Sequence, residues 1–390
     1  MIQREHVCYA MAFLTDLAVA AAIFALCRWA AESEHSDLEV ALFGIITFGT
    51  YAIACPLAGP LSDRIGRRRS MVIGLAGFTI VTLFWSSTLD IVSLWAACVP
   101  AGALLAMVWP ANTAWLGEGR TPLALGRVIA MFSIAWNFGV LVGQMGAGIA
   151  FEHGPAFVLR AAAALVAVSL ALLFIPTVVK TRPNERAVAA HALRGGSDRR
   201  PLLHATWVAN FANFFTLAAM TNLFPKLAVH LGVPAGMHGL VVACASVAAV
   251  LVFLVVMKMR FHLETLLPLL ATQAGCVFGL VLIVLGTTAP VLAAGFFLVG
   301  INSGLCYHAS LFYSLELHEQ KGRGTGIQES IIGSAFVVGP VIGGLLALQL
   351  GMRSPYVVCA VVTMAAMASQ VVLVTGRRRR VRASADASAG

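Results

Sequence analysis

Charge is what this sequence has least of: Asp, Glu, Lys and Arg make up 11% of its 390 residues, where a soluble domain carries about 25%. That scarcity excludes a solvated globular chain. Segments of alternating polarity are also missing, which excludes a transmembrane barrel. The eight cysteines stand singly, with no C-x-x-C pair and no metal-ligand spacing among Cys or His, so they read as packing residues and no metal site is expected. No G-x-x-x-x-G-K-[ST] string occurs, so ATP is not the expected energy source. Neither G-x-S-x-G nor H-E-x-x-H is present, and the expectation is no enzyme, no catalytic residue and no cofactor.

What is present is apolar: 59% of residues are hydrophobic, gathered in runs of the length an α-helix needs to cross a bilayer. Twelve runs can be laid out, near 7–29, 38–58, 71–89, 92–116, 127–150, 157–178, 205–228, 238–257, 264–286, 290–313, 326–349 and 355–375. The expected fold class is therefore an all-α membrane protein of twelve transmembrane helices, since in lipid each helix satisfies its own backbone. The first run follows one Arg and lacks a small-residue cleavage site, so it is expected to remain as a span. The longest polar stretch, 180–204, divides the chain into a bundle over 1–179 and a second over 205–376, followed by a basic and then disordered tail over 377–390.

The net charge of +9 does not point to nucleic acid, because the cations occupy alternate loops. Placing the spans as above puts 22 of the 26 Lys and Arg on one face, which predicts both termini in the cytoplasm and a multi-pass protein of the plasma (inner) membrane. Arg28, Arg160, Lys226 and Arg353 fall elsewhere. The arginines at 377–380 read first as a positive-inside anchor, with attraction to anionic lipid as the alternative.

The two halves look alike. An offset of 200 superposes Gly126, Gly139 and Gly143 on Gly326, Gly339 and Gly343, and an offset of 198 superposes Gly102, Trp109, Trp115 and Glu118 on Gly300, Tyr307, Tyr313 and Glu316. Agreement in two neighbouring span pairs indicates duplication, and two repeats imply a site between two bundles.

Between the second and third spans lies Gly59-Pro-Leu-Ser-Asp63-Arg64-Ile-Gly66-Arg67-Arg68-Arg69, a reversal with four arginines and one carboxylate. It matches G-x-L-x-D-R-x-G-R-R throughout, and the chain resembles the major facilitator superfamily over nearly its whole length. The resemblance implies two six-helix bundles and a cytoplasmic gate made by Gly59, Asp63, Arg64, Gly66, Arg67 and Arg68. Asp63 would meet the free N–H groups opening the eleventh helix, near Thr325 to Ile327, where the helix dipole favours an anion, and would favour the outward-facing state. The corresponding loop around Lys258-Met-Arg260-Phe-His262-Leu-Glu264 lacks the pattern, so the two closures are expected to be unequal.

Asp16 lies nine residues into the first span, about 13 to 14 Å deep at 1.5 Å per residue. A charge there costs on the order of 2.5 to 3.5 kcal/mol, so this carboxyl should face the bundle interior, be protonated or find a partner. Asp16 is the candidate for proton coupling or cation binding and the deep His308 for proton coupling; a purely helix-packing role is the alternative for each. Candidate substrate contacts are Trp109 and Asn112, beside a helix-bending Pro110; Asn137 and Gln144, sharing a face next to Trp136; Asn210 and Asn213; and Asn302 with Tyr307. Asn222 and Pro225-Lys226 suggest a break late in the seventh span. Taken singly, each Asn or Gln is more often interhelical glue than ligand, and for Trp109, Trp136 and Tyr307 aromatic packing is an equal reading. The resemblance implies a central cavity lined by helices one, four, seven and ten. Glu329 is placed near the gate, because it opens the eleventh span.

Small residues at Gly139 and Gly143, and at Gly339, Pro340, Gly343 and Gly344, point to close helix packing and a hinge. In exporting members of the superfamily a Gly-Pro-x-x-Gly-Gly string belongs to the fifth helix. Here it stands in the eleventh, and Gln144 occupies the fifth, so direction stays open. The expectation is a monomeric secondary transporter of a small organic solute, neutral or cationic, proton-coupled, working by alternating access in lipid. An uncoupled facilitator and a transport-incompetent sensor or scaffold are the alternatives.

Overall fold

A computed structural model describes residues 2–33, 35–88, 90–178, 199–258 and 265–389. Its long helices are α1 (Arg4–Glu32), α2 (Asp37–Ile65), α3 (Arg67–Trp85), α4 (Ile91–Ala106), α5 (Trp109–Gly117), α6 (Pro122–Ala150), α7 (Pro155–Leu172), α8 (Arg200–His230), α9 (Ala235–Lys258), α10 (Leu267–Leu285), α11 (Ala289–Leu317), α12 (Lys321–Leu350) and α13 (Ser354–Ala389). Counting α4 and α5 as two pieces of one span gives the twelve helices expected, and ten are long and apolar enough to cross a membrane. The two outside that group are α3, which opens on three arginines, and α8, which carries three asparagines and Lys226. Large apolar side chains lie bare on the helix surfaces, Leu348 being 86% exposed, as a lipid-facing surface requires.

Most of the polar segment 180–204 lies outside the described residues, as do 259–264 of the second basic loop and the side chains of the tail. One element has no precedent in the sequence: Ile2–Gln3 (β1) pairs in parallel with Thr177–Val178 (β2), a contact too short to leave a periodic signal. Pro225 does not break its span, and α8 runs unbroken from Arg200 to His230.

The local rules of helix ending account for the elements. Ser36 and Glu39 form a reciprocal capping box that starts α2. Gly66, at φ 95°, turns the chain from α2 into α3 in a conformation that a side chain would oppose. The break between α4 and α5 follows from Pro110, which has no N–H to give the preceding turn. Met107 and Val108 tighten onto Leu104 and Leu105 at 3.0 and 2.9 Å, while the Met107 carbonyl accepts from Ser70 at 2.8 Å.

The chain forms two units, Met1–Asn184 with His318–Val337, and Glu185–Leu317 with Val338–Gly390. The second half of the duplication is thus not one block, because the first part of α12 belongs with the first unit. Helix pairing repeats within the units: α1 with α7, α2 with α4, α3 with α4 and α3 with α7 are echoed by α8 with α13, α9 with α11, α10 with α11 and α10 with α13. The glycine seats repeat as well. Gly102 rests on the backbone at Thr47 and Gly300 on that at Ala245, the same offset of 198 on both sides of the contact. Gly139 and Gly143 sit on the α1 backbone at Phe13 and Leu17, and Gly339 sits on the α8 backbone at Phe215. Gly343 packs against Leu223, whereas Gly344 has open space beside it.

In the second unit Gln273 of α10 and Gln370 of α13 exchange two amide hydrogen bonds of 2.9 Å, fully buried. Gln273→Leu alone should lower stability by about 1 to 3 kcal/mol, because it strands the other amide. Gln273→Leu with Gln370→Leu should cost less than either single change, as read by thermal unfolding in detergent.

Candidate functional site

Four side chains from four helices meet in the first unit. Asp16 of α1 is half-buried, with the indole of Trp109, at the start of α5, as its side-chain partner. The Trp109 ring stands edge-on to Tyr51 of α2, centroids 5.2 Å apart at 87°. The Tyr51 hydroxyl donates to Glu329 Oε2 of α12 at 2.8 Å. Asp16 and Trp109 keep some exposed surface; Tyr51 and Glu329 are 2% and 7% exposed. Beside Glu329, Gln328 is fully buried and neither amide atom has a hydrogen-bond partner.

Glu329 and Tyr51 are the residues that sequence reasoning did not place in this group. The reason is a boundary: α12 starts at Lys321, not near 326, because Lys321-Gly-Arg323-Gly is polar but helical. Glu329 is therefore about 12 Å from the start of its helix at 1.5 Å per residue, a depth comparable with that inferred for Asp16.

The charged reversal lies in the same unit. Gly322 and Arg323 donate their backbone N–H groups to Asp63 Oδ1 and Oδ2 at 3.2 and 3.1 Å. The anion thus sits at the first turn of α12 as the dipole argument requires, three or four residues earlier than expected. Arg67 reaches Asp63 with Nη2, Ser62 Oγ with Nη1 at 2.6 Å and Glu118 Oε1 with Nε at 3.0 Å. Glu118 also accepts from Arg4, and Arg120 pairs with Glu5. Arg68 lies over the Trp115 ring at 5.2 Å and donates to Thr177 at 2.9 Å, while Arg64 is exposed. Gly59 allows α2 to reach α12: a Cβ there would stand 2.9 Å from the Gly322 carbonyl carbon.

The other candidates divide by partner. Asn112 donates to the Cys8 carbonyl at 3.2 Å and leaves its own Oδ1 buried without a partner. Asn137 bonds back to Ser133 of its own helix at 2.8 Å, and Gln144 is exposed. In the second unit Asn210 is completely buried with both amide atoms unpartnered, and Asn213 donates to Ser303 at 3.3 Å. Asn302 is engaged by Thr272 and Cys306, a packing arrangement, and Tyr307 meets Phe214 edge-on. His308 is 3% exposed, stacks on Phe312 at 6.4 Å and leaves Nδ1 without a hydrogen bond.

Comparison with known proteins adds to this geometry. Residues 8–317 and 206–389 match the family model described as Major Facilitator Superfamily. The chain is 28% identical over 171 residues to human Major facilitator superfamily domain-containing protein 10, a stretch covering 44% of this chain and 35% of that protein. It thus spans about a third of the length of that relative. It is 24% identical to Multidrug resistance protein MdtG of Escherichia fergusonii over 82% of this chain and 80% of that one. Against the 3-(3-hydroxy-phenyl)propionate transporter of Escherichia coli K12 it is 25% identical, over 85% and 83%. The crystal structure of the human organic anion transporter MFSD10 (TETRAN) superposes with a TM-score of 0.77 at 16% identity, covering 95% of this chain and 98% of that one, a likeness of fold. With twelve long helices, a charged α2–α3 reversal and a family match across most of its length, this chain is a multi-pass membrane protein that belongs to the major facilitator superfamily.

Proposed function

We propose that this protein is a secondary transporter that moves a small organic solute across the plasma membrane by alternating access, coupled to protons, with both termini in the cytoplasm. The observation that carries the reading is the linked set Asp16, Trp109, Tyr51 and Glu329, two carboxyls held deep in membrane-spanning helices by aromatic side chains. Intramembrane carboxyls are costly and mark ion or substrate pathways. Asp16, the more accessible of the two, exchanges the coupling proton. The two carboxyls favour a neutral or cationic solute over an anion. MdtG and the hydroxyphenylpropionate transporter, which cover most of this chain, support a small organic solute as cargo.

Asp63 serves as the cytoplasmic latch, since its two backbone donors belong to α12 and are lost when α12 leaves α2. Among the described residues no carboxylate pairs with His308, so it is assigned a lesser part.

The test is uptake into proteoliposomes under an imposed pH gradient, with ethidium, tetraphenylphosphonium and 3-(3-hydroxyphenyl)propionate as probes. Wild-type protein should accumulate at least one probe, and Asp16→Asn should lose about tenfold or more of the gradient-driven component. Equal accumulation with and without the gradient would favour the uncoupled facilitator, and full gradient-driven accumulation by Asp16→Asn would remove that residue from the coupling role.

A further inference from the structure

We propose that Glu329 is a second protonation site and that its hydrogen bond to Tyr51 is a proton-operated latch on the seam between α2 and the first half of α12. The proposal rests on the proton-coupled reading above and adds to it a residue and a place where the proton acts.

The seam is continuous. Starting at its charged end, Asp63 takes the Gly322 and Arg323 N–H groups, and Gly59 meets Gly322 and Gly326. Ser330 Oγ donates to the Ala52 carbonyl at 2.6 Å, and Tyr51 donates to Glu329. Further along, Phe48 and Phe336 stack at 5.1 Å. Glycines on both helices bring the backbones this close, so the two helices join or part as long segments.

Within that seam the Tyr51–Glu329 pair is the member whose strength a proton changes deep in the contact. The titratable groups facing Glu329 among the described residues are Tyr51 and Cys55 of α2 and Asp16 of α1. None is a cation. Among the described residues the Tyr51 hydroxyl is the one hydrogen-bond donor to Glu329, and no Lys or Arg pairs with it. A buried carboxylate without a cation carries a penalty of several kcal/mol, while the neutral acid buries at far smaller cost. Closure therefore takes Glu329 in together with its proton. Parting of α2 and α12 exposes the acid, and the O–H bond then breaks to give a carboxylate and a hydrated proton. No other covalent bond changes.

The geometry also explains why proton and latch fall on one element. Glu329 stands seven residues beyond Gly322, two turns along the same helix, so the event at the carboxyl and the release of Asp63 are two ends of one rigid segment.

The experiment is hydrogen–deuterium exchange of the full protein in phosphatidylcholine nanodiscs, comparing segments 48–63 and 322–337 between about pH 5.5 and about pH 8 after correction for intrinsic exchange. Wild-type protection of both segments should fall about tenfold as pH rises, and the fall should shrink below about twofold in Glu329→Gln, whose amide can still accept from Tyr51. Tyr51→Phe should keep the transition and move its midpoint, since the donor to the carboxyl is gone. A wild-type-like fall in Glu329→Gln, or an unmoved midpoint in Tyr51→Phe, overturns the latch. The two readings fail differently: gradient-driven probe uptake with an unaltered seam in Glu329→Gln sinks the latch alone. A seam that follows pH through Glu329 without any gradient-driven uptake supports the latch and sinks the coupling.

Discussion

Asp63→Asn is expected to slow uptake of a transported probe about 100-fold while leaving the fold intact. The carboxylate accepts the Gly322 and Arg323 N–H groups and a guanidinium bond from Arg67. The amide offers one oxygen in place of two and turns an NH2 group toward donors. Hydrogen bonds to a charged group contribute about 1.5 to 3 kcal/mol each. Losing about 3 kcal/mol of this set shifts the ratio of joined to parted seam by about two orders of magnitude. Asp63 sits at a helix end and not in a packed core, so circular dichroism and thermal unfolding should stay close to wild type. Wild-type uptake rates in Asp63→Asn would remove the latch role from this residue.

The second large effect is structural. Gly102→Val should destabilise the protein by about 3 kcal/mol or more and remove most of the monodisperse yield. A Cβ on Gly102 would stand 2.9 Å from the Tyr51 backbone nitrogen and 3.0 Å from Thr50 Cβ, and closer still to the Thr47 carbonyl oxygen. Backbone cannot rotate out of the way as a side chain can, so α4 would have to leave α2. That displacement would also disturb Tyr51 and hence Glu329. Gly146→Ala supplies the contrast: nothing lies within 4 Å of its Cβ position, and thermal unfolding should be unchanged or slightly raised. Equal melting temperatures for Gly102→Val and wild type would show that the α2–α4 seat has slack the geometry does not suggest.

Much of this was legible without coordinates. Hydrophobic runs of bilayer length identified the helices, because the membrane leaves a chain few other ways to satisfy its backbone. The Gly59 to Arg69 string located the reversal, and the glycine offsets of 198 and 200 anticipated which helix pairs come close. Asp16 stood out because a carboxyl in mid-span is rare and costly. Helix ends were the weak point. Misplacing the start of α12 by five residues put Glu329 at an edge and aimed Asp63 one turn too far along the helix. Polar residues such as Lys321 and Arg323 lower hydropathy without stopping a helix. Asn137 and Asn302 show a second blind spot, since a mid-span amide looks the same in sequence whether it bonds its own helix, a neighbour or a ligand.

The sequence by itself determined the number of the helices, the duplication and the chemistry of the reversal, since composition and period act along the chain. Only the tertiary structure decided that Tyr51, Trp109 and Glu329 join Asp16, and that the first half of α12 belongs with α2. Those partners lie tens to hundreds of residues apart, and what unites them is the close approach of helix backbones at small residues. Local pattern carries no record of that distance-closing step.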